Sequence, residues 1–366
     1  MKILLLGEYS NVHWTLARGL KELGHEVTVA SNGDFWKNYP RDVNLARKPG
    51  KAGGLLLLLK LWALAPKLRG YDVVQIINPM FVELKAERIF SFYHFLRLHN
   101  KKVIMGAFGM DYYWVKTCCD EKPLRYSDFN IGHELRNNKD ALKERKDWLG
   151  TAKQRLNELI AHDCDAIVPC LYEYWICYKD VFPRKTTFIP LPIECLENPN
   201  ADFNIHVKVK VFIGISKSRS EYKGTDIMLR AAQTLREKHP DKMELITVEG
   251  LPFAEYQQAM EGSDVLLDQL YSYTPSMNTL LAMSKGIVCV GGGEPENYEI
   301  IQEHELRPII NVQPTYESVY KELERLIRNP QMLPRLKRES IEYVRRHHDY
   351  RKVARQYEQL YNHTEK

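Results

Sequence analysis

The sequence predicts an α/β protein of two doubly wound parallel-sheet domains, and three observations lead there. The opening, KILLLGEYSNVHWTLARGLKELGHEVTVAS, reads as strand, glycine turn, helix over Trp14 to Leu23, stop at Gly24 and second strand, a βαβ unit. Short apolar runs then recur at YDVVQII, KKVIMGAF, DAIVPC and TTFIPLP with helical segments between them, the pattern of a parallel sheet covered on both faces. A chain of 366 residues also exceeds the ~250 to 300 at which a single core stops growing.

The boundary between the domains falls in IECLENPNADFNI, rich in Pro, Asn and acids, after which a fresh strand series begins at VKVKVFIGI. MELITVEG, SDVLLDQL and GIVCVGG continue it, alternating with helices such as TDIMLRAAQTLREKH and AEYQQAME. The expected division is residues 1–198 for the first domain and 199–348 for the second. The last helical stretch, 349–366, is expected to pack back on the first domain.

Composition narrows the function classes. With 44% hydrophobic and 27% charged residues the chain is an ordinary globular protein. The net charge of +5 is uneven: Met1 to Pro199 carries 29 Lys and Arg against 23 Asp and Glu, the remainder 23 against 24. The first half is therefore the part suited to an anionic surface. No basic stripe interleaved with aromatics is present, so nucleic acid is not an expected partner. The seven cysteines show no regular framework, and the N-terminus opens directly into a strand rather than a signal peptide, which reads as a reduced, cytoplasmic protein. Adjacent Cys118 and Cys119 lack a second ligand pair, and His347 and His348 point to different sides of a helix, so no metal is expected at either.

The stretch SYTPSMNTLLAMSKGIVCVGGGEPENYE carries the chemistry of the second half. Thr274 reads as a helix cap, Pro275 as the first helical position and Ser276 to Lys285 as the helix, stopped by Gly286. The amides at such a start attract phosphate. In GISKSRSEYKGTD, Lys217, Arg219 and Lys223 lie between a strand and a helix, at the strand end where open α/β sheets bind ligands. A solvated basic loop is the alternative reading of the same residues.

In order, the motifs resemble the GT-B glycosyltransferases, specifically the retaining, nucleotide-sugar-dependent group called family 4. The likeness rests on GEYSNVH, LKELGHEVTVAS, YDVVQIINP, the FGMD segment, HDCDAIVPC and FIPLPIE, then on FIGISKSRSEYKGTD, SDVLLDQL, LLAMSKGIVCV, GGGEPENYE and DYRKVARQYEQLY. It implies two Rossmann-like domains facing across a cleft, the first binding the acceptor and the second the donor. It further implies that Arg219 and Lys223 hold the donor diphosphate, with Lys217 the alternative to Arg219, and that Thr274, Ser276 and the helix amides face the same group. Gly291, Gly292 and Gly293 would let the backbone approach the sugar closely, and Glu299 matches the glutamate after the glycine loop, beside the donor sugar. Asp268 and Gln269 match the D-Q pair of a subgroup. Two glutamates eight positions apart are common in that family; here those positions are Tyr273 and Leu281, so ribose and sugar recognition must differ.

On the acceptor side the resemblance puts Asp111 of GAFGMDYYW at a cleft-facing carboxylate, with Phe108 where a histidine is often seen. Gly7, Asn11 and His13 lie in the first loop, His13 equally readable as a structural hydrogen-bonder. The insertion from Tyr112 to Leu149 is aromatic and then highly charged, and Arg125, Tyr126 and His133 read as acceptor contacts or as part of a cover without chemistry. The family's transfer is assisted by the leaving phosphate, so neither metal nor cofactor is expected, and Asp163 and Asp165 of DCD are assigned to structure.

KPGKAGGLLLLLKLWALAPKLRG is too short to span a bilayer, for which ~20 apolar residues are needed. Residues 51–69 read either as a helix in an anionic lipid interface, flanked by Lys51, Lys60, Lys67 and Arg69, or as a core helix. The expected activity is metal-independent hexosyl transfer, with retention, from a nucleotide-sugar to a glycan or lipid-linked acceptor in surface polysaccharide biosynthesis, by a protein that is cytoplasmic or peripheral at the inner face of the plasma membrane. The alternatives are a nucleotide-sugar 2-epimerase of the same fold and a non-catalytic binding protein. A dinucleotide oxidoreductase would need glycines that GEYSNVH lacks.

Overall fold

Lys2–Leu6 (β1) is an apolar run, and its chain turns at Gly7 into helix α1 (Val12–Glu22) and returns parallel to β1 as β2 (Glu26–Ser31). The chain continues through β3 (Val43–Asn44), α2 (Gly53–Leu64), β4 (Val73–Ile76), α3 (Ala86–His99), β5 (Lys102–Ala107) and α4 (Tyr112–Asp120). A hairpin of β6 (Asn130–Ile131) and β7 (Glu134–Leu135) follows, then α5 (Lys139–Trp148), α6 (Ala152–Asp163), β8 (Ala166–Pro169) and α7 (Tyr172–Tyr178). This computed structural model describes residues 1–50, 52–195, 201–216 and 219–364.

The first sheet is parallel throughout, in the order β3-β2-β1-β4-β5-β8. Ile3, Leu4, Leu5 and Leu6 are all fully buried, as a central strand covered on both faces requires. TTFIPLP forms only a bridge, Thr186 beside Ile167. Pro190 and Pro192 lack the N–H groups a ladder needs.

The second half runs β9 (Val209–Ile215), α8 (Ser220–Lys223), α9 (Thr225–Lys238), β10 (Met243–Glu249), α10 (Phe253–Met260), β11 (Val265–Leu267) and α11 (Met277–Ser284). It continues with β12 (Val288–Gly291), α12 (Pro295–Ile300), β13 (Ile310–Asn311), α13 (Tyr316–Arg328) and α14 (Leu333–His347), and α15 (Tyr350–His363) closes the chain. The second sheet is also all parallel, in the order β10-β9-β11-β12-β13. Val211, Val265 and Val288 pack there with Met228 and Leu235 of α9 and Leu323 of α13.

The chain divides into two compact units: Met1–Pro123 with Lys143–Pro192 and Tyr350–Lys366, and Leu124–Leu142 with Ile193–Asp349. The segment Leu124–Leu142, assigned by the sequence to the first domain, therefore belongs to the second unit. In the first unit α15 lies against α1, where a Cβ on Gly19 would come within 2.6 Å of Ala354 Cβ. Tyr350 donates its hydroxyl to Glu22 at 2.5 Å and Arg351 donates to the same carboxylate at 2.8 Å.

Candidate functional site

Open parallel sheets bind ligands at the carboxyl ends of the strands where the strand order reverses. In the second sheet that point lies between β9 and β11, and the loops leaving these strands carry the predicted donor residues. Leu270 N–H donates to the Lys223 carbonyl at 2.9 Å, joining the two loops. Gly224 sits between them at φ +75°, and a Cβ there would lie 2.9 Å from Leu270 Cβ, so glycine is required. Lys223 ends α8 and is half-buried; Arg219 is exposed, its guanidinium 4.9 Å from the Tyr222 ring centroid. Lys217 lies outside the described residues.

The neighbouring helix begins later than the sequence indicates. Ser276, in extended conformation, is the N-cap of α11, and its hydroxyl donates to Asp268 at 3.2 Å. Thr274 is a buried loop residue whose carbonyl accepts from the Ser272 hydroxyl at 2.7 Å, so Thr274 is not the cap and Pro275 is not in the helix. The amides opening α11 still lie at the carboxyl end of β11.

The glycine loop serves the protein's own packing. A Cβ on Gly292 would lie 2.4 Å from the Ser272 carbonyl oxygen, and one on Gly293 would lie 2.7 Å from Ile309 Cγ2. Any side chain at these two positions would meet neighbouring chain, so both require glycine. Glu299 is exposed on α12, whereas Glu294 and Glu296, closer to the glycines, are the carboxylates drawn into a cluster.

That cluster is formed with the segment 124–142. Arg125 donates to Glu294 at 2.8 Å and to both oxygens of Glu296 at 2.5 and 3.0 Å, and its backbone N–H donates to the Tyr273 hydroxyl at 2.7 Å. The Tyr126 hydroxyl donates to Glu294, whose same oxygen accepts from Gln313 at 2.9 Å. The hydrogen bond to Glu296 pushes the Arg125 guanidinium up, and that bond, against the burial that would raise it, holds the Glu296 carboxyl below its usual range. Burial pushes Tyr273 up to about 12. Tyr273, where the resembled family has glutamate, is an anchor for this segment. Arg125 and Tyr126 belong to the second unit, and His133 is exposed at the tip of the β6–β7 hairpin in the same unit. Glu294, Glu296, Gln313 and Arg136 were not singled out by sequence; the signal available was a carboxylate pair beside glycines and an arginine-bearing insertion.

The first-unit candidates make contacts within that unit. Gly7, at φ +89°, would press a Cβ to 2.3 Å from Ile77 Cγ2. Asn11 is a left-handed N-cap residue without a capping hydrogen bond, its amide instead donating to Thr15 at 3.3 Å. The cap of α1 is Glu8, whose oxygens accept from His13 N–H at 3.2 Å and Trp14 N–H at 2.9 Å. Burial pushes the Glu8 carboxyl up to about 8. His13 is fully buried: Nδ1 donates to the Gly7 carbonyl at 2.8 Å, so Nε2 accepts from Gln75 at 3.2 Å, and Gln75 accepts from the Tyr361 hydroxyl at 2.6 Å. Burial lowers its pKa to about 3, so the ring is neutral.

Asp111 likewise has no exposed surface. One oxygen caps α4 by accepting from Trp114 N–H at 2.8 Å and the other accepts from Tyr178 at 2.7 Å, while burial pushes the carboxyl up to about 6. Each Asp111 oxygen thus takes one hydrogen bond from within its own unit. In the DCD stretch, Arg97 holds Asp165 at 2.6 and 3.0 Å and Tyr93 donates to Asp163 at 2.8 Å. α2 buries Leu57 and Leu61 and leaves Leu55, Leu56, Leu59 and Trp62 exposed, at 52, 48, 59 and 42%. Lys60, Lys67 and Arg69 are exposed beside it, and Lys51 lies outside the described residues. Among the described residues no helix is long and apolar enough to cross a membrane.

Two parallel-sheet units with the last helix returned to the first define the class: the chain has the GT-B fold, that of a group of nucleotide-sugar glycosyltransferases. No protein family and no curated protein matches it by sequence. Solved structures do. HepE from Anabaena, in complex with UDP and glucose, superposes with a TM-score of 0.61 at 12% identity over 99% of both chains. Sucrose-phosphate synthase from Thermosynechococcus elongatus gives 0.63 at 13% identity over 99% of this chain and 98% of that one. A protein from Listeria monocytogenes assigned as a UDP-N-acetylglucosamine 2-epimerase gives 0.57 at 10% identity over 97% and 94%. At such identities the likeness establishes the fold.

Proposed function

We propose that the protein is a glycosyltransferase moving a hexosyl group from a nucleotide-sugar to a glycan or lipid-linked acceptor. The observation that carries this reading is the meeting of the Lys223 loop, the Asp268–Ser276 loop and the opening of α11 at the reversal point of the second sheet. Arg219 and Lys223 supply full positive charges and the helix start supplies amides, which together suit a diphosphate leaving group. In the transition state charge accumulates on that group, so donors aimed there lower the barrier. Metal independence follows on this reading, because the cationic side chains and amides take the part a divalent ion would play. Retention, with the leaving phosphate assisting the incoming hydroxyl, is proposed on the same geometry.

The exposed leucines and Trp62 of α2, with Lys60, Lys67 and Arg69 alongside, support a peripheral position on an anionic membrane face and hence a lipid-linked intermediate of surface polysaccharide synthesis as acceptor. The same-fold alternative is nucleotide-sugar 2-epimerisation, which the Listeria likeness keeps in view. A thermal-shift screen against UDP-, GDP- and dTDP-sugars tests the donor reading: one class should raise the melting temperature, and none doing so would refute it. Incubation with UDP-N-acetylglucosamine alone separates the alternatives, since an epimerase converts it without an acceptor.

A further inference from the structure

Arg136 comes from the segment between α4 and α5, yet its side chain ends at the predicted phosphate loop. Its guanidinium donates to the carbonyls of Glu221 at 2.8 Å and Tyr222 at 3.1 Å, the two residues before Lys223, and to the carbonyl of Ser127 at 3.1 Å. The same group lies 3.5 Å from the Tyr271 ring centroid, on the loop that follows β11. Arg136 is 9% exposed, so these bonds are shielded from water.

Carbonyls at the end of a helical turn have no partner within it and need an outside donor. Nη2 reaches both the Glu221 and Tyr222 carbonyls while Nη1 holds the Ser127 and Asp128 carbonyls and the guanidinium plane lies on an aromatic ring, a geometry that arginine supplies and lysine does not. The turn is also fixed from its other side, by Leu270 N–H donating to the Lys223 carbonyl at 2.9 Å. Lys223 therefore stands between two backbone attachments, one made by Leu270 and one made by Arg136 on the residues just before it.

We propose that Arg136 is a positioning residue for diphosphate binding: without touching the ligand, it fixes α8 so that Lys223 meets the phosphate oxygens. This rests on the donor reading above and adds to it that residues 124–142 are a working part of the donor site. The insertion thereby couples a first-half sequence to the donor half of the molecule.

Two measurements on the full chain test this. Hydrogen exchange of the protein alone should show the amides of Lys223, Gly224 and Leu270 exchanging about tenfold faster in Arg136→Ala and in the gentler Arg136→Gln. Calorimetry with inorganic pyrophosphate should show Lys223→Ala and Arg136→Ala each weakening binding about tenfold, with the double variant little worse than either. Unchanged exchange and unchanged pyrophosphate affinity in both Arg136 variants, beside a damaging Lys223→Ala, overturn the positioning role and leave the donor reading standing. Lys223→Ala without effect on pyrophosphate overturns the donor reading and the positioning role together. Additive losses in the double variant also overturn the role, because a residue acting through Lys223 has nothing left to act on once that side chain is gone.

Discussion

Arg125→Ala should destabilise the second unit far more than Glu296→Ala, although Arg125 is the more exposed partner of both carboxylates. Its side chain is 53% exposed, so the pair with Glu296, itself 20% exposed, is screened and contributes about 0.5 to 1 kcal/mol. Glu294 is different: its side chain is 4% exposed, and loss of Arg125 leaves a buried carboxylate with Tyr126 and Gln313 as its donors among the described residues. A hydrogen bond to a buried charge contributes about 1.5 to 3 kcal/mol. The expected total for Arg125→Ala is therefore about 2 to 4 kcal/mol, or roughly 4 to 16 °C for a unit of this size. Scanning calorimetry measures it, and fluorescence assigns it, because all six tryptophans (14, 36, 62, 114, 148 and 175) lie in the first unit. The calorimetric transition without a tryptophan signal should move. If it stays within 1 °C, or if Glu296→Ala moves it as far, the buried carboxylate is not what Arg125 holds.

Glu8 is held protonated by burial up to about pH 8, whereas in the unfolded chain it ionises near pH 4.5. The folded state thus binds the extra proton between those values, stability of the first unit should fall as pH rises from about 4.5 to 8, and Glu8→Gln should flatten that slope in tryptophan-monitored melts. Asp264 and Lys337 form a buried pair at 2.6 Å, so Asp264→Ala should destabilise the second unit by about 3 to 5 kcal/mol; a loss below 1 kcal/mol in calorimetry would contradict it. Vesicles containing anionic lipid should co-sediment the protein, less so as salt rises, and Lys60→Glu with Lys67→Glu and Arg69→Glu should abolish this. A wild type that stays in the supernatant at low salt would argue that the exposed face of α2 serves something other than lipid.

Much of the architecture was legible because it is written in local patterns. Ile3 to Leu6 and Val209 to Ile215 are apolar runs of strand length beside helical repeats, and such periods survive whatever the chain packs against. The ends of elements were harder. Thr274-Pro275 has the chemistry of a helix start, but the hydrogen bond from Ser272 and the burial of Thr274 keep it in the loop, so the helix waits for Ser276. Site residues were least legible where a tertiary partner decides the role. Asp111 reads as a carboxylate near a strand end, and only Tyr178, 67 residues later, shows that its second oxygen is occupied. Likewise nothing local to Arg125 or Arg136 announces that their partners lie in the second half.

Those long sequence separations also order the events of synthesis. Arg136 leaves the ribosome 85 residues before Glu221 and Arg125 leaves 171 before Glu296, so the segment is made well ahead of the unit it joins. The first unit waits too: His25 meets Glu358, 333 residues later, on the final helix. Neither unit can therefore be completed as a nascent domain in its turn, and truncating the chain in the Pro- and Asn-rich stretch between them yields two incomplete halves rather than two modules. The useful permutant is one whose new termini keep 124–142 attached to the chain on both sides.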